Sequence, residues 1–164
     1  MPESERAGCA PNFGASMERV IALIDGERSA ICDYAEALVN DVRQQMARKR
    51  AVLPVSERGH LNVRAVISQT VSVSIHWYRV RSYSGNAKVK GNFSLPVTRG
   101  RGVSYPVSSF AKDQPWEREM ARDLEAKAAV IRQTMAELVD LQKKAKACKR
   151  RGEEALALLE KGVS

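Results

Sequence analysis

Few residues in this chain have the types and spacing that catalysis requires. His60 and His76 are the only histidines, and the sequence contains no GxSxG, P-loop, HExxH or glycine-rich dinucleotide motif. The three cysteines include no CxxC pair, so they lack the spacing of a zinc site. His76 stands beside Trp77 and Tyr78, a context more typical of a strand surface than of acid–base catalysis. We therefore expect a protein that is not an enzyme, with no cofactor and no bound metal.

The chain does concentrate positive charge in one region. Residues 43–101 carry 12 basic side chains and one acidic side chain, whereas residues 1–42 carry 3 basic and 8 acidic ones. The whole chain has a formal net charge of +8. Clustered lysine and arginine are the footprint of a nucleic-acid-binding surface, because they contact phosphates whatever the base sequence. The alternative is a charged surface that only keeps the protein soluble.

A β-sheet is predicted between residues 61 and 107, where much of this charge lies. Odd-numbered positions are apolar in four successive segments of the region, one of them running from Val71 to Trp77. Alternation with a period of two is the pattern of strands that bury one face. We predict an antiparallel meander of about four strands, with the fourth over residues 103–107.

A tight turn is predicted at Ser84-Gly85-Asn86, between the second and third strands. A three-residue loop pairs odd positions with odd positions, which keeps the apolar side chains on one face. The pairs in this register are Trp77 with Phe93, Ile75 with Leu95, and Val73 with Val97.

The even-numbered face of the predicted sheet is polar and basic. Four further arginines lie toward strand ends and loops. A two-stranded ribbon can enter the major groove of DNA, so duplex DNA is the expected partner. An ordinary hydrated sheet face, with lysines that protect the edge strands, is the alternative. The candidate nucleic-acid-binding residues are Arg64, His76, Tyr78, Arg79, Arg81, Lys88, Lys90, Arg99 and Arg101.

Long amphipathic helices are predicted on both sides of the sheet. Apolar residues recur every seven positions from Met17 to Leu38, and again from Leu124 to Leu138. This spacing is typical of a coiled-coil-like seam. The seams can close within one chain or between the two copies of a homodimer, and the sequence leaves both arrangements open.

The combined prediction is an α+β protein with an antiparallel β-meander between two coiled-coil-like helices. A disordered tail over residues 1–14 precedes a single domain over residues 15–164. The basic runs Arg48–Arg50 and Lys143–Arg151 suit a helix end and a phosphate contact equally well. The predicted elements are a helix over 16–50, the sheet over 61–107, a helix over 115–150 and, after an interruption at Gly152, a short helix over 153–161.

Signals for export and membrane insertion are missing from the sequence. The N-terminus has no apolar stretch of the secretory type, and no run approaches the roughly 20 apolar residues that span a bilayer. An odd number of cysteines argues for reduced thiols. We expect a cytoplasmic protein that does not contact a membrane.

Several short motifs resemble those of a known family. The segment Ser74–Arg81 is followed by a Tyr and Ser-Ser-Phe segment at 105–110, by Pro115-Trp-Glu117, and then by Glu125 and Ile131-Arg132. Over residues 60–135 this pattern is similar to the MobI-like proteins of conjugative plasmids and integrative elements. The resemblance implies an auxiliary factor of DNA mobilisation that acts beside a relaxase at or near the origin of transfer. It brings no catalytic residues, and it makes a relaxase or other transfer proteins expected partners.

The competing interpretation is a coiled-coil scaffold or adaptor that binds a protein partner through its helical seams. Salt dependence distinguishes the two, because DNA binding through several phosphates weakens steeply as salt rises.

Overall fold

Two long helices flank a small antiparallel sheet in the chain, which confirms the predicted α+β class. The computed structural model describes residues 12–85 and 89–162, with side chains described over 13–81 and 93–161. The predicted tail therefore lies outside the described residues up to position 11. The elements are α1 (Asn12–Val52), a 3-10 helix (Val55–Glu57), β1 (Leu61–Ile67), β2 (Val73–Gly85), β3 (Val89–Pro96), a second 3-10 helix (Val107–Phe110) and α2 (Pro115–Gly162).

Both helices are longer than the sequence predicts. α1 begins four residues before Ser16 and ends two residues before Pro54, which disfavours helix in the residue that precedes it. α2 begins at Pro115 as predicted, but it continues through Gly152 without the predicted break. The missing side chain of Gly152 leaves room for the ring of Phe13, with which a Cβ would collide.

The chain divides into two compact units, Met1–Ala30 with Ala136–Ser164, and Ile31–Met135. In the first unit, the start of α1 and the end of α2 contact each other within one chain. Lys149 Nζ lies 2.6 Å from the carboxylate of Glu18, which lowers the pKa of Glu18. We call the second unit the sheet unit. Pairing of the helices between two copies stays a prediction.

The sheet has three strands in the order β1-β2-β3, rather than the predicted four. Residues 103–107 form no strand. Of the three odd positions that the alternation predicts to be buried, one is buried. Tyr105 is buried, whereas Val103 and Val107 are exposed. The backbone N–H of Tyr105 donates to the carboxylate of Glu125 over 2.9 Å, and this side-chain acceptor replaces the strand partner that the meander would have supplied.

The pairing of β2 with β3 keeps the predicted parity but not the predicted register. Arg79 pairs with Leu95 and Arg81 with Phe93, so odd positions do meet odd positions. Ser84 and Gly85 of the predicted turn belong to β2, residues 86–88 lie outside the described residues, and the predicted pairs are shifted by four residues. Phe93 and Leu95 are consequently 44% and 40% exposed and do not join the core. Trp77 packs instead against Phe110, with ring centroids 5.4 Å apart.

The core of the sheet unit lies between the odd face of the sheet and the two helices. Leu61, Val63, Ile75 and Trp77 are almost completely buried, as their parity predicts. Burial of this apolar surface is the main stabilising term of the unit. The helical residues of the same cluster are Cys32, Ala35, Val39 and Met46 of α1, and Ala121, Leu124, Ala128, Ile131 and Met135 of α2.

Candidate nucleic-acid interface

The even face of the sheet gathers basic and aromatic side chains at its centre. Arg64 of β1 stands directly opposite His76 of β2, and Asn62 stands opposite Tyr78. The guanidinium of Arg64 lies over the Tyr78 ring, 5.6 Å from its centroid. Arg64 and His76 are exposed, while Tyr78 is half-buried beneath the arginine. This arrangement presents two hydrogen-bonding side chains and one fixed cation to solvent.

The surroundings of His76 disfavour its protonated form. Partial burial lowers the pKa of His76 below its ordinary value, and the nearby positive charges of Arg64, Arg99 and Arg132 lower it further. Because burial and like charges both disfavour the imidazolium, the lowered pKa keeps the ring neutral at a pH where other histidines begin to take up protons. Arg99, in the turn after β3, is therefore part of the same electrostatic environment as Arg64.

Arg79 is engaged inside the protein. Its Nε and Nη2 donate to the two carboxylate oxygens of Asp113, each over 2.7 Å, and Nη2 also donates to the carbonyl of Ser109. This pairing raises the pKa of Arg79. The guanidinium ties β2 to the segment that leads into α2, so its role as a nucleic-acid ligand stays a prediction without support from its geometry.

The remaining predicted arginines do not share one face. Arg81 is exposed on the side of the sheet that carries the helices, where it borders a cavity of about 400 Å³ with Leu95 and Lys112. Arg99 and Arg101 are exposed on either side of Gly100, whose positive φ of 76° forms the turn. Of the two predicted lysines, Lys88 and the side chain of Lys90 lie outside the described residues. The structure thus brings Arg64, His76, Tyr78 and Arg99 together.

A buried carboxylate on the opposite side of the sheet joins β2 to α2. Glu125 accepts a hydrogen bond from Trp77 Nε1 over 2.8 Å, from the backbone N–H of Tyr105, and from both terminal nitrogens of Arg132 over 2.9 and 3.0 Å. Arg132 also donates to the carbonyl of Val103. Such a bidentate pair tolerates burial because both carboxylate oxygens and both terminal nitrogens of Arg132 have partners, although Arg132 Nε is buried without one.

A second buried carboxylate joins the two helices to β1. Glu117 accepts from the backbone N–H of Leu61 and from Arg50 Nη2, both over 2.9 Å, and from the N–H of Gln114 over 3.3 Å. The last contact is the capping-box arrangement, in which the third helical residue receives the N-cap amide. Gly59, with a φ of 67°, lies against this carboxylate without room for a Cβ.

These anchoring residues include several motif residues of the resemblance, and a physical signal for them exists in the sequence. Glu125 and Arg132 lie seven residues apart on the stripe of α2 that also carries Ala121 and Ala128. A carboxylate and a guanidinium on a buried stripe require partners, so this spacing identifies a buried ion pair. Their further partners, Trp77 and the carbonyl of Val103, are distant in sequence and follow only from the fold.

Two observations describe what the described part of the chain lacks. Among residues 12–85 and 89–162, no three His, Cys, Asp or Glu side chains lie together as a metal ion would require. None of the described helices combines the length and the apolar character that crossing a bilayer demands.

The described residues define an α+β protein in which two long helices pack on one face of a three-stranded antiparallel sheet. A family model described as MobI protein matches residues 31–146. Because this match covers more than half of the chain, the chain belongs to the MobI family, whose name associates it with mobilisation. The resemblance seen in the motifs is confirmed. Comparison with curated proteins found no match, and comparison with solved structures found none either.

Proposed function

We propose that this protein is a non-catalytic, cytoplasmic DNA-binding accessory factor of conjugative mobilisation that assists a relaxase at the origin of transfer. Membership of the MobI family supports the mobilisation role. The basic even face of the sheet supports the DNA contact, and it is the observation on which the proposal depends.

That face suits a polyanion for three reasons. Partial burial lowers the pKa of His76, and the positive charges of Arg64 and Arg99 lower it further. The described residues of the face include no carboxylate that would neutralise them. Tyr78 and His76 add groups that hydrogen-bond to phosphate or to base edges. Arg101 extends the charge along the neighbouring turn.

The test measures binding of a labelled duplex as a function of salt concentration, by fluorescence anisotropy. Simultaneous replacement of Arg64, Arg99 and Arg101 with alanine is expected to weaken binding at low salt. Each lost phosphate contact lowers the slope of log affinity against log salt by about one, so the slope is expected to fall by about three.

The matched control removes the same amount of charge elsewhere in the sheet unit. Arg118, Arg122 and Lys127 are exposed on α2, and their triple replacement with alanine is expected to leave the affinity and the salt slope close to wild type. Equal losses in both variants would mean that only net charge matters. Wild-type protein that binds no duplex would favour the scaffold interpretation.

The relaxase part of the proposal needs a separate measurement. Nuclease footprinting on transfer-origin DNA, with and without the relaxase of the same element, is expected to show a footprint of this protein that strengthens or extends when the relaxase is present. Independent, additive footprints would limit the proposal to DNA binding alone.

A further inference from the structure

A groove between α1 and the edge strand β1 is lined by side chains that suit the edges of DNA bases. Five of its residues lie along one face of α1, within three or four positions of one another, and Asn62 of β1 completes it. The groove has a volume of about 390 Å³, and no carboxylate lines it. Its lining residues are Asn40, Arg43, Gln44, Ala47, Arg50 and Asn62.

We infer that this groove is a base-reading subsite, at which the protein recognises a preferred sequence in the major groove of duplex DNA. Arginine donates two hydrogen bonds to the O6 and N7 atoms of guanine. The carboxamides of asparagine and glutamine match the N6 and N7 atoms of adenine, and an alanine methyl packs on the methyl group of thymine. All three kinds of side chain lie in this one groove.

The reading groups are free to bind a ligand. Within the described part of the chain, the side chains of Asn40, Arg43 and Gln44 make no hydrogen bond or ion pair, and all three are exposed. Two close neighbours differ in this respect. Arg50 is paired with Glu117, and Gln45 donates to Asp41 over 2.8 Å. The groove therefore offers unpaired amide groups that DNA bases would satisfy.

The subsite is continuous with the proposed DNA-binding face. Asn62 stands directly opposite Tyr78 in the β1–β2 pair and shares the even face of β1 with Arg64. On the other side, Arg48 and Lys49 are exposed in the last turns of α1, where they can reach phosphates. A duplex on the basic face would thus extend over the groove, so the inference rests on the proposed function and adds sequence recognition to it.

The test begins with a random-sequence duplex library, from which the wild-type protein selects its preferred duplex over several rounds. Affinities are then measured for that duplex and for a shuffled duplex of identical composition. Asn40→Ala and Gln44→Ala are each expected to weaken binding of the selected duplex by about tenfold, because a good bidentate base contact discriminates to that extent. Binding of the shuffled duplex is expected to stay unchanged.

Gln45→Ala is the matched control, since it removes an identical, equally exposed side chain from the adjacent position outside the groove. It is expected to leave both affinities unchanged. Arg64→Ala is the positive control for phosphate contact, and it is expected to weaken binding of both duplexes by the same factor. Circular dichroism verifies that every variant keeps its helix content.

A chemical substitution in the DNA connects the side chain to the base. Selected duplexes carrying 7-deazaadenine lose the N7 acceptor, so they are expected to bind wild-type protein more weakly, and the loss is expected to be smaller for Gln44→Ala protein. The inference fails if selection yields no preferred sequence, or if Asn40→Ala and Gln44→Ala weaken both duplexes equally. The proposed function survives those results, whereas absence of duplex binding by the wild type would remove both.

Discussion

The indole nitrogen of Trp77 lies 2.8 Å from a carboxylate oxygen of Glu125, and this hydrogen bond joins the first half of β2 to the N-terminal part of α2. Both residues are buried, and Arg132 neutralises the carboxylate. The polar face of the sheet is the reverse side of this contact, because His76 and Tyr78 are the neighbours of Trp77 in the strand. The position of the proposed DNA-binding face therefore depends on a buried ion pair on the opposite side of the sheet.

Replacing Glu125 with glutamine is expected to destabilise the protein by about 3–5 kcal/mol, because Arg132 would remain buried without its counter-charge. The measurement is chemical denaturation followed by circular dichroism. Asp123→Asn, an exposed site on the same helix, is the control and should stay within about 0.5 kcal/mol of wild type. A similarly small change in Glu125→Gln would show that water or another group replaces the carboxylate.

Two glycines are expected to respond to alanine with opposite signs. Gly59→Ala should destabilise the protein by about 2 kcal/mol or more, since the residue has a positive φ and a Cβ would collide with the carboxylate of Glu117. Gly26→Ala should stabilise it by up to about 1 kcal/mol, because Gly26 is inside α1 with nothing near its missing Cβ. Thermal and denaturant unfolding of the two variants measure the difference. Changes of equal sign would contradict the account.

Arg79 and Arg81 occupy neighbouring odd positions of β2, but their replacement with alanine is expected to change the stability of the protein to different extents. Arg79→Ala should cost about 2 kcal/mol of stability, because it leaves the buried carboxylate of Asp113 unpaired. Arg81→Ala should change stability by less than about 0.5 kcal/mol, since Arg81 is exposed. Denaturation curves of the two variants make the comparison. A large loss of stability in Arg81→Ala would mean that it has a structural partner.

Protonation of His76 is expected to destabilise the free protein. Its pKa is lower in the folded state than the ordinary value of about 6.5, so the unfolded chain takes up the proton first. The stability that the neutral ring provides is fully present above about pH 6.5 and is lost as the pH falls through the folded-state pKa. Unfolding free energies measured across this range should fall less steeply in His76→Gln. Identical slopes would show that other groups dominate.

DNA affinity is expected to depend on pH with the opposite sign. A phosphate on the basic face offsets the charges of Arg64 and Arg99 and raises the pKa of His76, so binding takes up a proton. Affinity of wild-type protein for duplex DNA should therefore rise as the pH falls from about 7.5 to about 5.5. His76→Gln should remove most of that rise, and a variant that keeps it would place the proton uptake elsewhere.

The local parts of this fold could be predicted from sequence because they depend on periodicity. Alternation identified β1 and the first half of β2, and Pro115 marked the start of α2. The register of β3 could not be obtained in the same way. Any even shift preserves the parity of the pairs, and the choice among shifts depends on Phe110 and α2 covering Trp77 in place of Phe93. That contact joins residues distant in sequence.

The charge pattern of the candidate site could be predicted from sequence, but the contacts between its side chains could not. Parity placed Arg64, His76 and Tyr78 on one face, as the structure has them. Charge alone gave no reason to separate Arg79 from Arg81, since only the fold brings Asp113 within reach of one of them. The groove beside α1 could not be predicted from sequence either, because the fold must bring Asn62 of the sheet next to the helix face that lines it.

The two ends of β2 pair with different strands, so they are expected to differ in local stability. Residues 73–79 pair with β1 and residues 78–85 with β3, so the two pairings overlap at Tyr78 and Arg79. The outer half of β2, residues 80–85, pairs with β3 in a two-stranded ribbon, and isolated ribbons of this kind are only marginally stable. The inner half, residues 73–79, contributes Val73, Ile75 and Trp77 to the core. Amide hydrogens of the outer half should exchange through local opening, and those of the inner half only through unfolding of the sheet unit.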